Sequence, residues 1–237
     1  MIRTIIWYFT FVVSLILTSP FILRAKYLDK KGLIEKRDSY SNAVTANWAK
    51  IQLKVSGAKI NVHGLENIPK DIPVLFISNH QSNFDINLFM SLIDKPKGYI
   101  SKIEMKKIPI ISTWMKYIHC VFMDRSSLKK SAAAIIEGVN ILKNGYSLVI
   151  FPEGTRSKGD TMGEFKAGSF KLATKAKVPI VPVTIKGSYK LMEANNNRIR
   201  PAEVDLYIHP MIETSTLTKE EEKQLHTTVE NIIKSKL

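Results

Sequence analysis

Cysteine is nearly missing from this chain: Cys120 stands alone among 237 residues. A single thiol excludes an intramolecular disulfide framework and any cysteine-cluster metal site, and it fits a reducing compartment. No glycine-rich dinucleotide fingerprint or nucleotide-phosphate loop occurs. Internal repeats and low-complexity linkers are also lacking, which argues against solenoids and tethered arrays. No set of His, Asp and Glu has catalytic-metal spacing, so neither a metal nor a cofactor is expected. Acidic residues are few: 21 Asp plus Glu face 35 Lys plus Arg, a formal net charge of +14.

Two stretches hold that excess. Nine basic residues lie between Lys95 and Lys130 against Glu104 and Asp124, and eight lie between Phe165 and Arg200 against Glu193 alone. Most single lysines are simply solvated, but two concentrated stretches suggest an anion-facing surface: nucleic acid, a membrane or a phosphorylated substrate. No aromatic-interleaved RNA motif or recognition-helix signature is present, so nucleic acid is not expected as a partner. At 45% hydrophobic and 24% charged, the chain should fold around one substantial core, with room for a small appendage.

The longest uncharged run is residues 4–23, TIIWYFTFVVSLILTSPFIL. As a helix it spans about 30 Å, the thickness of a bilayer's hydrocarbon core. No small-x-small cleavage site follows it, which disfavours a signal peptide, and a core helix this apolar all round would be unusual. A membrane anchor is the favoured reading, with Pro20 able to bend or end the helix and permit shallow insertion. Arg24, Lys26, Lys30, Lys31, Lys36 and Arg37 follow, so a span would leave the rest of the chain in the cytoplasm. Residues 41–55 form a second helix, with Val44, Trp48, Ile51 and Val55 on one apolar face that suits core packing or an interface. Residues 1–57 are therefore taken as a membrane-anchoring element, whose removal should leave activity on soluble substrates, and 58–237 as the catalytic domain.

Beyond Gly57, strand-like runs (59–63, 74–78, 99–101, 119–123, 147–151, 180–185, 204–208) alternate with helical ones (86–93, 128–143, 168–175, 219–233). Such alternation predicts an α/β fold: a mixed, mainly covered sheet flanked by helices. The apolar strand ending at Ser78 runs into Asn79-His80-Gln81-Ser82-Asn83-Phe84-Asp85. A His at the carboxyl end of a buried strand lies where α/β sheets place ligands, and one loop can return the Asp85 carboxylate to its imidazole. Ser82-x-x-Asp85 is also a helix capping box, and the two roles can coexist. A second strand leads into Phe151-Pro152-Glu153-Gly154-Thr155-Arg156-Ser157, where Gly154 permits close backbone approach, Thr155 offers a hydroxyl and Arg156 a phosphate-matching fork. Phe122-Met123-Asp124-Arg125 ends another strand in a guanidinium. The prolines of Val178-Pro179-Ile180-Val181-Pro182-Val183 mark an edge or irregular strand lining a cleft.

In this order the four segments resemble the glycerolipid acyltransferase family, most closely its 1-acylglycerol-3-phosphate (lysophosphatidate) acyltransferases. The resemblance covers roughly half the chain. One position departs from it: family members usually carry Gly three residues before the Phe-x-Asp-Arg, where this chain has His119. The resemblance implies a glycerol-phosphate acyltransferase-like fold behind an amino-terminal membrane element. It also implies transfer of a fatty acyl group from acyl-CoA or acyl carrier protein to lysophosphatidate at an anionic membrane surface. Another lysophospholipid or glycerol 3-phosphate is the alternative acceptor. His80 would be the general base oriented by Asp85. Arg125 and Arg156 would meet the acceptor phosphate, with Glu153, Gly154 and Thr155 shaping the pocket. Lys102 is a further candidate, although solvation competes for it in a lysine-rich segment. Cys120 beside His119 could suggest a thiol nucleophile, but neighbouring strand residues face opposite ways and buried thiols are commonly structural.

Overall fold

The computed structural model describes all 237 residues. Three helices come first: α1 (Ile2–Leu17), α2 (Ser19–Lys30) and α3 (Ile34–Ser56). Seven strands and five helices follow: β1 (Lys59–His63), β2 (Leu75–Ser78), α4 (Phe84–Leu92), β3 (Lys97–Lys102), α5 (Pro109–Tyr117), β4 (Val121–Met123), α6 (Leu128–Lys143), β5 (Ser147–Ile150), α7 (Lys171–Ala176), β6 (Ile180–Lys186), β7 (Glu203–Ile208) and α8 (Lys219–Lys234). The sheet order is β1-β7-β6-β2-β5-β3-β4, and every pairing is parallel except β6 with β7. It is the mixed sheet expected.

Both faces are covered, and strand alternation says by what. Phe76, Val149 and Val181 point into a core shared with Trp7 of α1, Leu53 of α3 and Phe84, Leu88 and Phe89 of α4. Their neighbours Leu75, Ile77, Leu148 and Ile150 face α6, α7 and α8 through Leu142, Leu172 and Val229. The sheet is the middle of three layers. β2 lies between β5 and β6 and is fully buried, so the loop leaving its carboxyl end opens where successive connections diverge.

The amino-terminal helices depart from the detachable anchor expected. The apolar helix breaks at Thr18, because Pro20 has no N–H to continue the ladder. The Thr18 hydroxyl donates to the Leu15 carbonyl at 2.6 Å and accepts from Trp114 Nε1 at 3.0 Å. α1 then lies along α3: Trp7 Nε1 donates to the Gln52 carbonyl at 3.1 Å, and Gln52 Nε2 to Ser14 Oγ at 2.9 Å. In α3 the buried stripe is Ser41, Thr45, Ala49, Gln52 and Ser56, whereas Ile51 is exposed. Small residues on that stripe let α3 approach its neighbours closely, and the expected face turns Val44 and Trp48 toward a cavity instead.

Two strands also differ. β6 is internal rather than an edge, despite Pro182. The ladder to β7 starts at Val183↔Ile208, and the next bridge is Ile180↔Ile212, so the partner strand carries one extra residue there. That bulge accommodates a residue with no N–H to give. β4 starts at Val121 because His119 has φ +59°, a left-handed conformation incompatible with a strand. Helix α5 had no sequence expectation.

Lys97 is a buried amine at the start of β3, its Nζ donating to the Ile93 and Lys95 carbonyls at 2.7 and 3.0 Å. Burial pushes its pKa down to about 7, against Asp94, which favours the charge. The unfolded chain holds this proton up to about 10.5, so the cost of burying the ammonium is complete below about pH 7. It fades as pH rises toward 10.5. Lys97→Met should therefore gain most in melting temperature over the wild type near pH 6, and the gap should narrow by pH 9. A pH-independent gap would contradict the assignment.

Candidate active site

The loop after β2 is held from several sides. Asn79 extends the sheet, its Nδ2 donating to the Ile185 carbonyl and its Oδ1 accepting from the Ile185 amide, both at 2.8 Å. The His80 amide donates to Glu153 Oε1 at 2.6 Å, and its carbonyl accepts from the Ser157 amide at 2.8 Å. The His80 ring stacks on Phe151 with centroids 4.2 Å apart. Its Nδ1 lies 2.7 Å from Asp85 Oδ2.

Asp85 is fully buried in the first turn of α4, where the helix dipole favours a carboxylate. Besides the imidazole, Oδ2 accepts from the Gln81 and Ser82 amides at 2.7 and 2.9 Å, and Oδ1 from the Ser188 hydroxyl at 2.5 Å. Ser82 Oγ accepts from the Phe84 amide at 3.1 Å. Only half of the expected capping box forms beside the imidazole contact. The Ser82 amide meets Asp85 Oδ2, whereas the Asp85 amide donates to the Ser82 carbonyl and not to its hydroxyl, and the helix begins after Asn83. An ionised carboxylate can only accept, so the proton between the two side chains belongs on Nδ1, leaving Nε2 with a lone pair.

Glu153 is buried and bridges two loops, accepting from His80 with one oxygen and from the Gly163 amide at 2.7 Å with the other. Burial raises its pKa, and the two amides oppose that. It braces the site from behind rather than lining a pocket. Gly154 has φ +75°, and a Cβ there would meet Lys166 Nζ at 3.0 Å and Arg125 Nη1 at 3.1 Å. Arg125 donates to the Gly154 carbonyl, so Arg125 and Lys166, which had no motif to mark it, flank this glycine. Arg156 instead pairs through Nη1 with Glu193 Oε1 at 2.8 Å. Thr155 and Lys102 are exposed, and their side chains make no hydrogen bond within the protein.

A cavity of about 770 Å³ opens beside this loop, well within the size of small-molecule sites. Asn83, Asn87 and Arg156 line its polar end, and most of its 26 lining residues are hydrophobic. Trp7 and Phe11 of α1, Trp48 of α3 and Trp114 of α5 supply its far wall. Arg125 is not among the lining residues.

A family model described as Acyltransferase matches residues 59–186. The chain belongs to the acyltransferase family. A probable 1-acyl-sn-glycerol-3-phosphate acyltransferase of Mycoplasma pneumoniae is 40% identical over 157 residues, covering 65% of this chain and 58% of that one. A 1-acyl-sn-glycerol-3-phosphate acyltransferase of Borreliella burgdorferi is 32% identical over 188 residues, 79% of this chain and 75% of that one. The crystal structure of the 1-acyl-sn-glycerophosphate (LPA) acyltransferase PlsC from Thermotoga maritima superposes with a TM-score of 0.86 at 31% identity, covering 99% and 93% of the two chains. The match thus spans somewhat over half of the Mycoplasma relative and nearly all of the Thermotoga one.

His119 stands where the acyltransferase motif usually has glycine, and its left-handed φ accounts for that preference. An L side chain there costs about 1–2 kcal/mol. Here the imidazole recovers contacts: Nε2 lies 2.8 Å from Asp38 Oδ2, and the ring stacks on Tyr146 with centroids 3.8 Å apart. Asp38 also accepts from Arg37, and the His119 and Arg37 contacts hold its carboxyl below the usual range against the opposing effect of burial. Cys120 is buried against the cavity, where burial pushes its thiol up to about 12. So high a pKa leaves almost no thiolate at neutral pH. The His63 ring stacks on Tyr207 and the His209 ring contacts Thr184; neither ring meets a motif residue.

Gly154→Ala should lower stability by about 1–2 kcal/mol, the cost of a left-handed L residue, and displace both Arg125 and Lys166. Thermal unfolding checks the first effect. A variant as stable as the wild type would mean the loop reaches another conformation at no cost.

Proposed function

We propose that the chain transfers a fatty acyl group from an acyl thioester to the free hydroxyl of 1-acylglycerol 3-phosphate, giving phosphatidic acid for phospholipid synthesis. The observation that carries this reading is the Asp85–His80 pair beside an apolar cavity whose polar end holds Arg156. The names of the Borreliella and Thermotoga relatives support the acceptor.

An alcohol is nearly un-ionised at neutral pH, so a base must take its proton as the oxygen attacks the thioester carbonyl. His80 Nε2 is that base. Asp85 fixes the tautomer and offsets the imidazolium charge. When the tetrahedral intermediate collapses, the C–S bond breaks and the leaving thiolate takes the imidazolium proton, giving the free thiol and neutral His80. The atoms balance without a redox step, a metal or a covalent enzyme intermediate. CoA and acyl carrier protein both present the required thioester. The cavity takes acyl chain, Arg156 takes the acceptor phosphate, and Arg125 with Lys166 adds positive charge near Gly154.

A thiol-release assay on detergent-solubilised protein tests this. His80→Ala should abolish turnover without unfolding the chain, and Asp85→Asn should remove a large part of the rate. Arg156→Ala should raise KM for lysophosphatidate more than KM for the thioester, since a contact made before and during reaction contributes mainly to binding. Near-normal turnover by folded His80→Ala would end the mechanism.

We further infer that α1 and α2 lie in one leaflet of a membrane rather than crossing it. Ile5, Phe9, Val12, Ile16 and Leu23 are exposed, and Arg24, Lys26, Lys30 and Lys31 follow at the surface. α3, packed along α1, carries exposed Lys50 and Lys54, which a perpendicular span would draw into hydrocarbon at about 2.5–3.5 kcal/mol each. An apolar face rimmed by lysines suits an anionic leaflet, and the unpaired thiol fits a cytoplasmic one. Because α1 also walls the cavity, deleting residues 1–25 should abolish activity on short soluble acceptors as well as on bilayers. A truncated protein active on soluble acceptors would return α1 to the role of a mere anchor.

A further inference from the structure

Glu193 is the lone acid in the basic stretch 165–200, and no catalytic step described above uses it. Its side chain is 2% exposed, in a short 3-10 turn on the connection between β6 and β7. Burying a carboxylate so completely is costly unless donors surround it. Three do, all from the two acyltransferase motif loops: Arg156 Nη1 at 2.8 Å and the Asn83 amide at 3.0 Å on Oε1, and Ser82 Oγ at 2.6 Å on Oε2.

We propose that Glu193 is a positioning residue that fixes the Arg156 guanidinium for the acceptor's phosphate and ties it to the loop bearing the base. The inference rests on the reading that Arg156 meets that phosphate. Arg156 spends only Nη1 on Glu193, so the Nε–Nη2 edge has no partner within the protein. That edge is the planar fork suited to two phosphate oxygens. A free arginine would have to be ordered on binding, and a buried carboxylate orders it in advance. The same carboxylate grips Ser82 and Asn83, neighbours of Asp85 in sequence and in the hydrogen-bond network. Distance between phosphate and base is thereby set through one side chain.

The test compares KM for lysophosphatidate and for the acyl thioester in Glu193→Gln, Arg156→Ala and the double variant. KM does not depend on the fraction of active protein, so partial misfolding does not blur it. Glu193→Gln keeps the volume and an accepting oxygen but removes the charge. It should raise the acceptor KM about tenfold, as loss of a charge-assisted hydrogen bond does, and leave the donor KM unchanged. Glu193→Asp, which keeps the charge, should recover part of the loss. In the Arg156→Ala background, Glu193→Gln should add nothing to the acceptor KM. If Arg156→Ala itself leaves the acceptor KM unmoved, the phosphate reading fails and this proposal falls with it. If Arg156→Ala raises it while Glu193→Gln leaves it unchanged, lowers it, or moves both substrates equally, the positioning role alone is overturned.

Discussion

Everything around the site depends on one buried charge, the Asp85 carboxylate. With no exposure to water it must be met by donors, and it receives the His80 imidazole, two loop amides and the Ser188 hydroxyl. Each of those contacts fixes a different piece of chain. The amides of Gln81 and Ser82 can reach Oδ2 only if the loop curls tightly at the head of α4. Ser188 can reach Oδ1 only if the chain after β6 folds back over that loop. Deleting a partner would leave a buried charge undersatisfied, which is more costly than the contact's net gain suggests. The geometry that turns His80 Nδ1 toward Asp85 is the same geometry that keeps Asp85 solvated by protein.

The second constraint is that the apolar cavity is not inside the α/β unit alone. The sheet and α4 form one side of the cavity, and α1, α3 and α5 form the other. Trp7 belongs to the same packed cluster as Phe76 of β2, so the amino-terminal helices are cemented to the sheet by core contacts. Exposed apolar surface and cavity wall are then two faces of one helix. With that surface in a leaflet, as proposed, an apolar chain would pass to the cavity without crossing water, which burial of hydrocarbon strongly favours.

How much of this was legible in the sequence follows the distance along the chain over which each contact acts. His80 and Asp85 are five residues apart on one loop, so strand, loop and helix signals sufficed to pair them. The sheet was readable because its strands are short apolar runs bounded by turn residues. Glu193 and Ser188 left no trace, since their partners on the His80–Asp85 segment lie more than a hundred residues away, Arg156 lies 37 from Glu193, and nothing local marks them. The α3 stripe misled because Ser41, Thr45 and Ala49 look unremarkable beside Val44 and Trp48; close helix approach selected small side chains over large ones. Pro182 misled because a bulge in the partner strand removed the need for its missing N–H. Only His119 signalled its own conformation, through the glycine that the family pattern expects there.

The chain's large positive charge is not what surrounds the reacting atoms. The side chains of three acids, Asp85, Glu153 and Glu193, are buried there, and each accepts from the 80–83 loop. Glu153 and Glu193 tie that loop to the Arg156 loop, alongside the direct bond from the Ser157 amide to the His80 carbonyl. A purely basic pocket would attract a phosphate but let arginines and lysines repel one another into solvent. Buried carboxylates oppose that spreading, at the cost of weakening the net attraction. The exposed lysines outside can then steer an anionic partner from a distance, screened by salt, while orientation at the site rests on short hydrogen bonds that salt hardly touches.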